Sequence, residues 1–245
     1  MKIEYFDIDL ISPQTPCYIR HNKRFKSLSK KFGKKKSVDH FASKYGIALL
    51  KWEFVVQRLL ATLCEEKRDR ILKFSTKESG ISFREIDLIA QSLEGELVFC
   101  ELKLKEQFNE TLGTKASGWA QLRKSIGIAS RQYPKLSGLS ICVDMSHVYG
   151  LETSALDMNY CQFSEIQHHL QYPSDQNQTL WISSKEVVSL AIEHNLLALK
   201  DIHEIERLHQ EFKNPMSLIE KENFVDKYNS FSALINLKQT NFVNN

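Results

Sequence analysis

The stretch FREIDLIAQSLEGELVFCELKLK, Phe83–Lys105, decides the fold. It predicts two strands, Phe83–Gln91 and Glu96–Lys105, joined by Ser-Leu-Glu-Gly, whose Gly95 suits a tight hairpin turn. Among their Ile, Leu, Val and Phe stand Asp87, Glu101 and Lys103, and a charge placed in a buried sheet is costly unless it is paired or put to use. Strand residues two apart share a face, so Glu101 and Lys103 project together, away from Val98, Cys100, Leu102 and Leu104. Glu85 and Asp87 likewise share a face, opposite Ile86, Leu88 and Ala90. Antiparallel pairing across the turn then makes the acidic faces coincide and brings Asp87 near Glu101. Two close carboxylates repel unless a proton or a cation lies between them. A hard divalent ion such as Mg²⁺ suits that place, because it takes carboxylate, carbonyl and water oxygens and needs few protein ligands. Lys103 adds an ammonium that steadies a phosphate, and burial that lowers its pKa would let it join in proton transfer.

Outward from this stretch the chain reads as α/β. Phe41, Tyr45, Leu49, Trp52, Val56, Leu59, Leu60 and Leu63 recur every three or four residues, predicting an amphipathic helix over about Asp39–Glu66 with Ser37 and Asp39 as cap residues. A strand follows at Arg70–Thr76. A second helix lies within Lys115–Pro134, ending at or before the proline, and Gly138–Met145 is a further buried strand. Before all of these, MKIEYFDIDLISP alternates as a strand with acids in it. The polar run from Tyr149 to Gln178 is expected to be a long loop. TLWIS, a helix capped by Ser183 or Ser184, and a helix over Asp201–Phe212 complete the pattern, the last two as a packed pair rather than a DNA-reading helix-turn-helix. The expected organisation is a strand and basic arm over 1–38, a core over 39–150, and a loop-rich helical region over 151–245.

At 245 residues, 42% hydrophobic and 26% charged, the chain has the composition of a globular protein, and no apolar run approaches the roughly 20 residues that span a bilayer. A cytoplasmic, non-membrane protein is expected. The five cysteines, Cys17, Cys64, Cys100, Cys142 and Cys161, form no C-x-x-C pair, and most read as small core residues. His203 and His209 lie six apart in HEIERLH, a spacing that puts them on different helix faces and away from a zinc-protease motif, so they read as surface histidines. Net charge is only +3, yet RHNKRFKSLSKKFGKKK carries Arg20, Lys23, Arg24, Lys26, Lys30, Lys31, Lys34, Lys35 and Lys36 with no acid. Such a block reads either as a footprint for a polyanion or as a solvated arm with no specific partner, and Phe25, Leu28 and Phe32 at helical spacing suggest a short amphipathic helix that docks on its own domain or on a phosphate backbone.

The helix bearing Glu53, the three-strand meander, EIDLIA with its acid 14 positions before Glu101, ELK, and the helix with GWAQLRK together resemble the PD-(D/E)xK nuclease superfamily. REIDLIA and LVFCELK are most similar to its Holliday-junction resolvase-like branch. The resemblance covers about Phe41–Met145 and reaches neither the basic arm nor the C-terminal region. It implies a restriction-endonuclease-like core, αβββαβ, with a mixed central sheet flanked by helices, to which the rest of the sequence adds a basic N-terminal arm and a helical C-terminal extension. It implies a Mg²⁺-dependent DNA endonuclease, Mn²⁺ substituting, in which Asp87 and Glu101 bind the metal, the Leu102 carbonyl is a further ligand, and Glu53 adds an acid. Lys103 would be the catalytic lysine and Gln121 a supporting group on the second helix. The arm would hold nucleic acid, and a symmetric homodimer is a further expectation. One departure is that Ile86 stands where the family's name-giving proline would be, which leaves the acid intact; Glu85 is a candidate to assist it. A non-catalytic nucleic-acid-binding or protein-interaction module that retains the fold is the alternative.

Overall fold

A computed structural model of the protein describes residues 4–32, 44–108, 113, 116–151, 160–174 and 178–213, with the side chains of 25–32 outside that description. The elements run β1 (Tyr5–Ile11), α1 (Pro16–Phe32), α2 (Lys44–Ala61), β2 (Glu65–Glu66), β3 (Ile71–Thr76), β4 (Gly80–Glu85), β5 (Leu88–Gln91) and β6 (Leu97–Lys105). They continue with α3 (Trp119–Ala129), β7 (Leu136–Asp144), α4 (Phe163–Gln171), β8 (Gln178–Ser183), α5 (Ser184–Glu193) and α6 (Leu199–Lys213). The result is an α/β fold whose five-stranded mixed sheet, ordered β2-β5-β6-β7-β8, is flanked by helices and accompanied by a three-stranded antiparallel sheet, β1-β3-β4. In the larger sheet β2, β5 and β6 run antiparallel, while β6, β7 and β8 are parallel.

β6 is central and buried on both faces, which is why its sequence is nearly continuous in apolar residues. Val98, Cys100 and Leu102 enter a large cluster with Trp52, Val56, Leu59 and Leu60 of α2, Leu170 of α4, Ile182 of β8 and Ile205 of α6. The alternate residue Phe99 enters a second cluster with Leu72, Phe74, Ile86, Ile89, and Trp119, Leu122 and Ile128 of α3. Glu101 and Lys103 continue that second face, so the two charges lie at the end of a core rather than on a wet hairpin surface.

The expected strand Phe83–Gln91 is two strands. β4 pairs with β3 in the small sheet, and the chain turns at Ile86 and Asp87 before β5 pairs with β6. The break moves Ile86 out of phase with Leu88 and Ala90: Ile86 packs in the α3-side cluster, the other two in the α2-side cluster. The hairpin after β5 forms as read, with Gly95 at φ 80 and its N–H donating to the Ser92 carbonyl. The first long helix is shorter than its apolar pattern suggested, because Glu65 and Glu66 pair with Gln91 and Ala90 as an edge strand; Ser37, Asp39 and Phe41 lie outside the described residues. Lys67 and Glu65 form a surface ion pair at 3.3 Å.

The polar run after Tyr149 contains α4, a helix rather than loop throughout. Phe163, Ile166 and Leu170 bury its inner face, and Glu165 accepts the Gln162 N–H at 2.7 Å to start it. β8, α5 and α6 join the same large cluster as α2, and Ser183 caps α5 by accepting the Lys185 N–H. Pairing therefore crosses both expected segment boundaries, β1 with β3 and β7 with β8. His203 and His209 do point different ways, but only the first is at the surface. His209 is 3% exposed, stacked 3.8 Å from Tyr149 and 3.0 Å from the Tyr45 hydroxyl, which corrects its reading as a surface residue. No helix among the described residues is long and apolar enough to cross a membrane.

Candidate active site

Asp87 sits at the turn between the two sheets, one residue before β5 begins. Its Oδ2 accepts the Leu102 N–H at 2.8 Å, extending the β5–β6 ladder by a side chain where the backbone pairing stops at Leu88 and Cys100. The N–H and C=O of one residue face the same strand edge, so the Leu102 carbonyl turns to the edge where Asp87 stands. Beside it, Glu101 is 5% exposed and its Oε1 accepts a 2.5 Å bond from Lys103 Nζ. Burial, followed by the Glu101 charge, pushes the Asp87 carboxyl up to about 7; Glu53 adds to the rise, while the Leu102 N–H and Lys103 oppose it. Glu53 thus lies within electrostatic reach of Asp87 from α2, with its Oε1 also accepting from Gln57 at 3.4 Å.

Lys103 departs from expectation. Burial works against its charge, but the hydrogen bond to Glu101 and the charges of Glu101, Asp87 and Glu53 outweigh burial and raise its pKa above the ordinary lysine value. That shift favours the ammonium form, against the lowered pKa that a proton-accepting role would need. Glu85 lies on the α1 side of β4, where Arg70 pairs with it at 3.2 Å and Tyr18 donates to it at 3.4 Å, so its link to Asp87 runs through Arg70. Gln121 lies in the first turn of α3, close to this end of the sheet, but its side chain is exposed and takes no part in the bonds joining Asp87, Leu102, Glu101 and Lys103. Trp119 is core, its Nε1 donating to Thr179 at 2.7 Å.

Three residues not singled out in the sequence shape the site. Gly118 precedes α3 at φ 88, and a Cβ there would lie 2.5 Å from Glu101 Cγ and 3.1 Å from Lys103 Cε, so both conformation and space exclude a side chain. A glycine opening a helix carries no such signal in one sequence. Arg70 clips the turn: one guanidinium nitrogen donates to the Asp87 carbonyl at 3.1 Å while another pairs with Glu85. Arg84, on the opposite face of β4 from Glu85, donates to Ser125 Oγ at 2.9 Å and to the Gln121 carbonyl at 3.2 Å, within electrostatic reach of Glu101.

Of the arm, Arg20, Lys23 and Arg24 are exposed on α1, which is pinned to β4 through Tyr18 and His21 against Phe83. Lys26, Lys30 and Lys31 are on the same helix, with side chains outside the described residues, as are Lys34, Lys35 and Lys36 entirely. Among the described residues, no three His, Cys, Asp or Glu side chains gather closely enough to make a ready metal cluster. The site instead offers two carboxylates, a carbonyl and an ammonium at the junction of two sheets. No protein-family model, curated protein or solved structure matches the chain.

Proposed function

We propose that the protein is a metal-dependent nuclease that hydrolyses phosphodiester bonds in DNA, built on a restriction-endonuclease-like core of the PD-(D/E)xK kind. The observation that carries the reading is the junction of Asp87 with β6: its carboxylate is bonded to the Leu102 N–H while the preceding residue, Glu101, is buried against Lys103. Asp87, raised to about 7 by burial and by Glu101, holds its negative charge at a cost that a cation between the two carboxylates removes. The donors, two carboxylates and the Leu102 carbonyl with Glu53 farther out, suit a hard ion that keeps several waters. When bound, Mg²⁺ or Mn²⁺ supplies Lewis acidity, making a neighbouring water more acidic and offsetting charge on the scissile phosphate.

The chain's own groups have separable tasks. Asp87 is oriented by the Leu102 N–H from one side, while its backbone is clipped by Arg70 from the other. Lys103, kept protonated by Glu101, donates toward a phosphate oxygen or the attacking water and steadies negative charge that develops there. Gly118 leaves the approach to Glu101 and Lys103 free of a side chain. The exposed amide of Gln121 would orient substrate, and the cations of α1 would add sequence-independent affinity. Two copies related by symmetry would cut both strands of a duplex.

One feature favours a non-catalytic nucleic-acid-binding module instead: Glu101 Oε1 is already engaged by Lys103. The two are separated by incubating the protein with supercoiled plasmid, linear duplex, single strand, four-way junction and RNA in Mg²⁺, Mn²⁺ or EDTA. Cutting that requires the metal is expected for at least one DNA substrate. Binding without cutting in any metal would leave the non-catalytic module.

A further inference from the structure

β4 is an edge strand of the small sheet and runs directly into the turn that carries Asp87. Its two faces are covered by different helices. Phe83 and Glu85 meet α1, through the rings of Tyr18 and His21 and the Tyr18 hydroxyl; Arg84, between them and therefore on the opposite face, is bonded to Ser125 and the Gln121 carbonyl of α3.

Both helices come from stretches without acids. No Asp or Glu occurs from Leu10 to Val38, nor from Thr111 to Val143, which holds Lys115, Arg123, Lys124, Arg131 and Lys135. On α1, Arg20, Lys23 and Arg24 are exposed. On α3, Lys124 is exposed one residue before Ser125 and three after Gln121, on the side of the helix that Arg84 reaches. None of Arg20, Lys23, Arg24 or Lys124 forms an ion pair with a described residue, whereas Lys51, Lys67, Lys77, Arg207 and Lys213 each have a carboxylate partner. Unpaired cations concentrated on two helices that flank one strand make a positive surface fitted to a polyanion.

We infer that β4 is the spine of a two-sided basic saddle for a nucleic-acid backbone, with Arg20, Lys23 and Arg24 of α1 on one side and Arg84 and Lys124 of the α3 side on the other. The saddle deepens the nuclease reading and rests on it for the identity of the polyanion. It assigns half of the backbone contact to a surface outside the N-terminal arm, and it leads along β4 to the acid at that strand's end.

The test is binding of a short fluorescent DNA duplex by polarisation across a salt series in EDTA, where no cutting intervenes. Each lost phosphate contact lowers the slope of log affinity against log salt by about 0.9. Lys124→Glu is expected to flatten the slope by about 1 or more, and the Arg20→Gln, Lys23→Gln, Arg24→Gln triple by about 3, with the two effects adding. A Lys185→Gln, Lys200→Gln control on the distant helices α5 and α6 leaves the slope unchanged. Unaltered affinity and slope in a folded Lys124→Glu protein would remove α3 from the interface and overturn the saddle, whatever the triple does. If these slopes hold and the duplex is never cut in Mg²⁺, the nuclease reading fails and the saddle stands. Cutting that persists with slopes unmoved by Lys124→Glu has the reverse meaning.

Discussion

Asp87 carries opposing demands. Its carboxyl is raised by burial and by Glu101 from the ordinary value near 3.8 to about 7, so between these values the folded chain binds a proton that the unfolded chain has lost. The associated stability is full below about pH 4 and is lost as pH rises through about 7, a decline on the order of 2–4 kcal/mol at 1.36 kcal/mol per pKa unit. Asp87→Asn keeps an acceptor for the Leu102 N–H without the charge. In metal-free buffer the variant should match wild type near pH 4 and exceed it at pH 8, read from denaturant midpoints. A wild-type advantage at pH 8 would mean that Asp87 is not held at a cost. Gly118→Ala should cost about 1–3 kcal/mol, because alanine is strained at φ 88 and its Cβ meets Glu101 Cγ at 2.5 Å. Equal thermal midpoints for variant and wild type would rule out that crowding. The acids and the lysine were legible in the sequence because charges interrupt an apolar pattern. Gly118 was not, since its role depends on which strand the helix start happens to touch. The direction of the Lys103 shift was not legible because burial alone suggests a lowered pKa, and it is the 2.5 Å bond to Glu101, with the charges of Glu101, Asp87 and Glu53, that reverses it.

At the level of elements, the turn at Ile86 and Asp87 is the feature that builds the site, and it is held by Arg70 on both sides. Arg70→Gln should cost about 1–3 kcal/mol and impair any metal-dependent activity, since a charged hydrogen bond to the Asp87 carbonyl is lost and Glu85 loses its partner. Hydrogen exchange at Ile86, whose N–H donates to the Arg70 carbonyl at 3.0 Å, checks it: faster exchange there is expected, and unchanged protection would show that the clip is dispensable. The turn was invisible in the sequence because Phe83–Gln91 contains neither glycine nor proline, so period-two alternation runs through it. Tertiary pairing with two different partners breaks it instead. α4 was missed for a different reason: its apolar residues Phe163, Ile166 and Leu170 are few and embedded in Gln, His, Ser and Glu, so polarity masked a short helical period.

Across the whole molecule, the C-terminal helices are part of what holds the central sheet. Ile182, Val187, Ala191 and Ile205 share a cluster with Trp52 and Leu59, Lys51 pairs with Asp201, and His209 is stacked on Tyr149. A chain ending at residue 177 is expected to lose its cooperative thermal transition by circular dichroism. A sharp transition in the truncated chain would make the C-terminal helices a separable appendage. The sequence showed these helices and β8 as elements, but their sharing of one core with α2 was not legible, because amphipathic faces do not name their partners.

The most direct measurement compares wild type, Asp87→Asn and Lys103→Ala in Mg²⁺-dependent nicking of supercoiled plasmid, with each variant first shown to be folded by circular dichroism. Both substitutions are expected to reduce cutting by at least about a hundredfold while duplex binding in EDTA changes little, as for groups that act on the reacting phosphate. Cutting by folded Asp87→Asn at the wild-type rate would contradict the assignment of this junction as the active site.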